Sequence, residues 1–309
     1  MTKKIDVFAH VLTPNFYRQM LEIEPKLPER FPFIQHPQLT DIELRRSFWD
    51  KETQQIISFV NINPEDYVSP EMAAVLCRQA NAELSQVVAD NSDIFAAGVA
   101  MIPMNHVEEA VKILQETAVN PHLAGVQLFT RALGLSIADP EFHLIFEACS
   151  RLDLPIWLHP IFDERKPDNN IIFSWEYELT QAMLQLVQTG IFQEFPDLKI
   201  IVHHAGAMVP FFSERIRYIL PEDQEKDFHK FYVDTAILGN PKALELTVEY
   251  FGVDRVLFGT DLPLGIQPAG ATQVILQAIE DLPLSSANKE QILSTNAQKI
   301  ILKTRRGIR

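Results

Sequence analysis

The chain has little sulfur to cross-link, no long apolar run and a deficit of positive charge, and each shortage removes a class of protein. Two cysteines, Cys77 and Cys149, in 309 residues do not make a disulfide framework, so a reducing cytoplasm is the expected home. No apolar run approaches the ~20 residues of a membrane-spanning helix. The opening MTKKIDVFAHVL has a basic tip but lacks an apolar core of roughly 7–15 residues before a small-residue cleavage site, so no export signal is expected. Lys and Arg number 27 against 41 Asp and Glu, a net charge of −14, which argues against nucleic acid and anionic membranes as partners. The one basic cluster, Lys303, Arg305, Arg306 and Arg309, reads as a solvated tail. No G-x-G-x-x-G follows the first apolar run, which removes the usual dinucleotide-binding fold. There is no internal repeat, low-complexity segment or interdomain linker, so one domain over 1–309 is expected.

What is present is an alternation. Eight β-rich apolar runs, at 4–11, 54–62, 94–103, 123–130, 154–160, 198–206, 229–236 and 255–263, are separated by stretches of helical period. Several runs are apolar almost throughout, as parallel strands buried on both faces are. The spacing predicts helices at 71–90, 105–118, 139–152, 177–192, 241–251, 270–281 and 287–303, with Asn105 as an N-cap and Pro140 in a first turn. Eight βα units predict an α/β fold of the (β/α)8 TIM-barrel type. Residues 13–53 exceed one helix and carry the Pro-rich PKLPERFPFIQHP, so an irregular insertion near the barrel mouth is expected after the first strand.

Barrel chemistry sits at the carboxyl ends of the strands. Read in order, those ends give His10, Thr130-Arg131, His159, His203-His204, Asp234 and Asp261. Imidazoles and a carboxylate with open positions suit Zn²⁺ or a similar divalent ion. Side chains two apart on a strand point the same way, so residues 8 and 10 would grip one ion together, but residue 8 is Phe. Period two also lets only one of His203 and His204 face the barrel, and pattern alone does not choose between them.

The runs I-D-V-F-A-H, G-V-Q-L-F-T, L-P-I-W-L-H-P, P-D-L-K-I-I-V-H-H-A-G-A-M-V-P and V-L-F-G-T-D-L-P resemble, in order and spacing over nearly the whole chain, the amidohydrolase superfamily. Within it they look most like the branch of aminocarboxymuconate semialdehyde decarboxylase and related metal-dependent decarboxylases. The resemblance implies metal ligands at His10, His159 and Asp261, with Asp261 also able to handle a proton, and a catalytic role for His204, leaving His203 towards the helix layer. It implies that Trp175 covers the pocket and that the protein forms a homodimer. Phe8 departs from the family's H-x-H and leaves the site one first-strand ligand short. Three protein ligands still suffice for a catalytic zinc site, with zinc the expected ion and manganese the alternative.

The activity so implied is decarboxylation of a small unsaturated or aromatic carboxylate. Arg131, at the mouth, is the expected substrate contact, and Arg45 and Arg46 are further cations able to pair a carboxylate. Glu178 reads as an early-helix acid and Asp234 as either a partner for an imidazole or a turn cap. Asp6 carries a similar choice between second contact and strand start. Two other uses of the same parts remain open: a metal-dependent hydrolase of a lactone, amide or ester, and a ligand-binding barrel whose metal site Phe8 has dismantled.

Overall fold

A computed structural model of the chain describes residues 3–302 apart from 164, 167–170 and 269. The basic cluster at Lys303, Arg305, Arg306 and Arg309 lies outside the described residues. Seven strands pair in parallel in chain order: Lys4–Val11, Thr53–Phe59, Phe95–Ala100, Leu123–Phe129, Ile156–His159, Ile200–Val202 and Tyr232–Val233. The expected eighth strand is present only as two single bridges, Val256 to Val233 and Leu262 to Ala9. Between them Val7 N donates to Phe258 O at 2.8 Å and Leu257 N to Val233 O at 2.8 Å. The segment therefore hydrogen-bonds to both the seventh and the first strand and closes the ring.

This segment cannot run as a regular strand for local reasons. A Cβ at Gly259 would stand 2.8 Å from Cβ of Asp234 and 3.2 Å from Cβ of Phe8, so only glycine lets the chain pass between the neighbouring strands. Asp261 then takes φ of +63°, outside the extended region. Thr260 N and Oγ1 turn to the buried Asp6 carboxylate, at 3.1 and 2.6 Å. Asp6 thus ties the first strand to the closing segment.

Helices cover the outside. Pro70–Asp90 starts at Ser69, whose side chain accepts from Met72 N, and Pro241–Phe251 starts at Asn240, which accepts from Lys242 N and Ala243 N. Val107–Val119 does not use Asn105 as its cap: His106 stands there without a side-chain bond, and Asn105 Nδ2 donates to Val68 O at 3.2 Å. The last helical stretch breaks into Ser286–Glu290 and two wider π-type turns, Gln291–Thr295 and Gln298–Leu302. The insertion after the first strand is more regular than expected. It contains the helices Pro14–Ile23 and Ile42–Ser47 with short helical turns between them. It packs because Phe16, Met20, Leu27, Ile34 and Leu39 are all buried against the first two strands.

Inside the ring, Trp157 and His159 share a strand face. Trp157 lies one layer towards the amino ends, is fully buried, and donates from Nε1 to Val7 O at 2.7 Å. It floors the space in which the histidines sit.

Candidate metal centre and active site

Four imidazoles and three carboxylates meet at the carboxyl ends of the strands. His10 is buried, with Nδ1 3.1 Å from Ser58 Oγ and Nε2 3.1 Å from Asp261 Oδ1. His159 ends the fifth strand with Nδ1 on the Pro160 carbonyl at 2.6 Å, which leaves its Nε2 turned into the barrel. The His10 and His159 rings stand edge to face with centroids 5.0 Å apart.

The sixth strand brings in both of its histidines, not one. His203, expected against the helix layer, is fully buried inside the ring, with Nε2 3.5 Å from Asp261 Oδ1 and its ring 5.2 Å from that of His159. His204 is there too, the two rings 4.0 Å apart. Period two fails because the strand ends between them. His203 is extended, whereas His204, Ala205 and Ala207 have φ of +54°, +57° and +55°. Three non-glycine residues in that region are strained and need surrounding support. Asp234 supplies part of it by accepting from Ala205 N at 3.0 Å, and Thr180 Oγ1 accepts from Met208 N at 3.1 Å.

Asp234 therefore fills both roles open to it. It accepts from His203 Nδ1 and from the backbone N–H of Ala205 and Ala236. His204 has its own carboxylate, Glu176, whose Oε1 lies 2.7 Å from Nδ1. No motif singles out Glu176. The available signal was its place beside Trp175, in the first turn of the helix Ser174–Gln188.

Electrostatics divide the group. Burial pushes His10 below its ordinary value and His159 well below it, so both are neutral and fit to bind metal. Burial also acts against the charged form of His203, but the Asp234 and Asp261 carboxylates outweigh it and raise the group to about 10, so a cation bound at its Nε2 would displace that proton. For Asp261 burial acts upward, and the contacts with His10 and His203 outweigh it, holding the carboxyl well below the usual range.

The residues present fit a divalent ion. His10, His159 and His203 each offer a ligand atom, all within 4.8 Å of one another, and His203, His204 and Asp261 form a second such group. Nε2 of His10 and Nε2 of His203 are buried without a well-formed hydrogen bond, as expected of donors arranged for a metal rather than for each other. Phe8 supplies no donor; its ring stacks on His203 with centroids 3.8 Å apart and planes at 16°.

The other candidates fall into place around this centre. Trp175 is buried with its ring 6.0 Å from His159 and 6.2 Å from His204, and its Nε1 has no partner. Arg131 stands at the mouth but is paired: Nε and Nη2 meet both oxygens of Glu178 at 3.1 and 2.9 Å, and Nη2 meets Asp163 at 3.1 Å. Glu178 is thus a buried ion-pair partner rather than a dipole-placed surface acid. Arg45 and Arg46 make other contacts. Arg45 is buried and donates to the His10 carbonyl at 2.6 Å and to Gln55 at 2.8 Å, while Arg46 pairs Asp93 at the opposite rim. His36, His143 and His229 bind Gln267, Glu194 and the Tyr250 carbonyl elsewhere.

Comparison with known proteins agrees with this architecture. The amidohydrolase family model matches residues 59–301. The 2-amino-3-carboxymuconate-6-semialdehyde decarboxylase of Dictyostelium discoideum is 26% identical over 96% of this chain and 91% of its own length. The 6-methylsalicylic acid decarboxylase of Penicillium expansum is 27% identical over 96% and 95%. Among solved structures, the 5-carboxyvanillate decarboxylase of Sphingomonas paucimobilis superposes with a TM-score of 0.84 at 21% identity, covering 98% of this chain and 99% of that one. The 5-carboxyvanillate decarboxylase of Novosphingobium aromaticivorans, complexed with manganese and 4-hydroxy-3-methoxy-5-nitrobenzoic acid, superposes with a TM-score of 0.80 at 19% identity over 96% and 95%. At that identity the two structures establish the barrel fold.

Proposed function

The chain belongs to the amidohydrolase family, and from that premise we propose that it is a metal-dependent carboxy-lyase acting on a small unsaturated or aromatic carboxylate. The observation that carries the reading is the convergence of His10, His159 and Asp261 with the Glu176-bound His204 at one barrel mouth. Relatives matching 96% of the chain are decarboxylases of such acids, which favours this use of the barrel over hydrolysis, since the fold alone would not.

In this reading His10, His159 and Asp261 hold one divalent ion, zinc or manganese. The chemistry such an ion supplies when bound is neutralisation of charge on the substrate carboxylate or a neighbouring oxygen. His204 carries the proton step. With Nδ1–H donated to Glu176, its Nε2 is the atom that exchanges a proton with the substrate carbon bearing the carboxylate, which becomes tetrahedral before CO2 leaves. Trp175 presents an unpartnered buried N–H that suits a substrate oxygen, and its ring helps to exclude water. Arg131, already paired with Glu178 and Asp163, acts on the substrate as part of that network, setting the mouth's shape and positive edge.

Two further readings accompany this one. We place the protein in the cytoplasm, because Cys77 and Cys149 are free and buried and no helix among the described residues is long and apolar enough to cross a membrane. We also propose a homodimer. The helix Ser213–Ile219 buries none of its residues, although Tyr218 and Ile219 are apolar and 75% and 63% exposed.

The test is a panel of hydroxybenzoates and unsaturated dicarboxylates, incubated with the Mn²⁺- or Zn²⁺-supplemented protein and followed by CO2 release. Release that requires the metal and is lost in His204→Ala supports the proposal. Ester or lactone opening without CO2 would overturn it in favour of hydrolysis.

A further inference from the structure

Residue 8 stands two positions before His10 on one strand face, where a second imidazole would reach the ion, and it carries a phenyl ring. That ring is buried and lies flat against His203. We propose that His203 is a metal ligand in this chain, its Nε2 supplying the donor that residue 8 lacks, so that the centre comprises His10, His159, His203 and Asp261. The inference rests on the metal-dependent reading above and specifies its ligand set.

Three independent features of His203 point the same way. Its Nε2 is buried with no well-formed hydrogen bond, although the residue has no exposure to water. Such a nitrogen is left for a ligand or ion that is part of the working protein. Second, the two edges at Asp261 have the right length. Asp261 Oδ1 lies 3.1 Å from His10 Nε2 and 3.5 Å from His203 Nε2, and two ligands each about 2.1 Å from a tetrahedral ion stand about 3.4 Å apart.

Third, the far side of the ring is built as ligand histidines are built. Nδ1 is bound to the Asp234 carboxylate, which is itself buried and fixed by Ala205 N and Ala236 N at 3.0 Å each. A carboxylate on the second nitrogen sets the tautomer and aims the first at a metal. Phe8 adds the remaining restraint by fixing the plane of the ring. The pair is thus an exchange across the barrel: the first strand gives up a donor and provides packing, and the sixth strand supplies the donor.

His204 is the rival, since it also falls in a group able to hold an ion. Its Nδ1 is held by Glu176 on the helix Ser174–Gln188 rather than by the barrel, and it leaves the strand in the left-handed conformation. Those features suit a residue that moves a proton beside the ion better than one that holds it.

The experiment measures metal binding without turnover. Mn²⁺ and Zn²⁺ affinities are determined by chelator competition for the full-length wild type, His203→Ala, Asp234→Asn, His204→Ala and the double variant Phe8→His/His203→Ala, with Co²⁺ absorption reporting the ligand field. We expect His203→Ala to lose roughly 100-fold or more in affinity and Asp234→Asn about 10–100-fold. His204→Ala should stay within about three-fold of the wild type, and the double variant should recover most of the loss, because residue 8 then offers a donor again. A folded His203→Ala protein that binds as tightly as the wild type, with an unchanged Co²⁺ spectrum, overturns the assignment alone. A wild type that binds no ion overturns it together with the metal-dependent reading. If His203→Ala does not fold, His203→Gln and the double variant decide by the same criteria.

Discussion

Oε1 of Glu176 lies 2.7 Å from Nδ1 of His204, so the first turn of one helix controls the proton inventory of a residue that has just left the sixth strand. Glu176→Gln keeps the contact but removes the charge that supports an imidazolium. A positioned general acid contributes about 10²–10⁴ in rate. His204→Ala should therefore lose roughly that much kcat, and Glu176→Gln about 10-fold to 100-fold. If the histidine only positions substrate, KM will rise instead with kcat unchanged. Steady-state decarboxylation measured over a range of substrate concentrations separates the two.

Among the contacts that close the barrel, one joins buried side chains from the first strand and the closing segment. Thr260 Oγ1 donates to Asp6 Oδ2 at 2.6 Å, and Thr260 N to Oδ1 at 3.1 Å. Thr260→Val preserves shape but strips a donor from a carboxylate with no access to water. Leaving such a group short of a partner costs about 1–3 kcal/mol. We expect urea unfolding to show a loss in that range with an unchanged slope, and a much smaller effect from Thr180→Val. An unchanged midpoint in Thr260→Val would show that Asp6 finds another donor.

How much of this was legible before the structure differs by residue. The βα alternation and the placing of His10, His159, the His203-His204 pair and Asp261 at strand ends follow from hydrophobic period and polar residues, because both depend on local alternation; the preference for His204 comes from the family resemblance. That both members of the pair enter the barrel does not follow, because period two holds only while the chain stays extended, and the strand stops at Val202. The positive φ of His204 and Ala205 depends on support from Asp234, which comes from the next strand. The pairing of Arg131, expected as a substrate contact, is not legible because its partners, Glu178 and Asp163, are 47 and 32 residues away. Glu176 carries no motif of its own. Phe8 was visible as a missing ligand, but its contact with His203 exists only across the ring.

Burial of Glu65 gives stability a pH dependence. Burial raises its carboxyl to about 8, against the smaller lowering effect of backbone N–H groups. The folded state therefore holds a proton that the unfolded chain, with a pKa of about 4.3, has already released. Stability is then greatest at low pH and falls as pH rises from about 4 to about 8, where the folded-state carboxyl ionises too. Glu65→Gln removes this dependence. The wild type should be the more sensitive of the two to a change from pH 6 to pH 9, by a few kcal/mol at most. Parallel melting temperatures across that range would mean that the Glu65 carboxyl is solvated after all.

The exposed helix after the sixth strand tests the assembly. Ser213–Ile219 buries no residue, and Phe211 just before it and Tyr218 within it are each 75% exposed. Large apolar rings left in water on a short helix without packing of its own are stabilised when a second copy covers them. Light scattering after size exclusion should give twice the 35.3 kDa chain mass for the wild type. Phe211→Glu/Tyr218→Glu should return the mass of one chain while leaving the circular dichroism spectrum intact, since neither side chain supports the barrel. The double variant also shows whether assembly matters to the chemistry. Trp175 and Glu176 lie on the helix Ser174–Gln188, whose Thr180 side chain accepts from Met208 N just before Phe211. Loosening this edge by exposing it to water should therefore raise KM more than it lowers kcat. A wild type that is already a single chain at micromolar concentration would remove the homodimer, and the apolar helix would then need another cover.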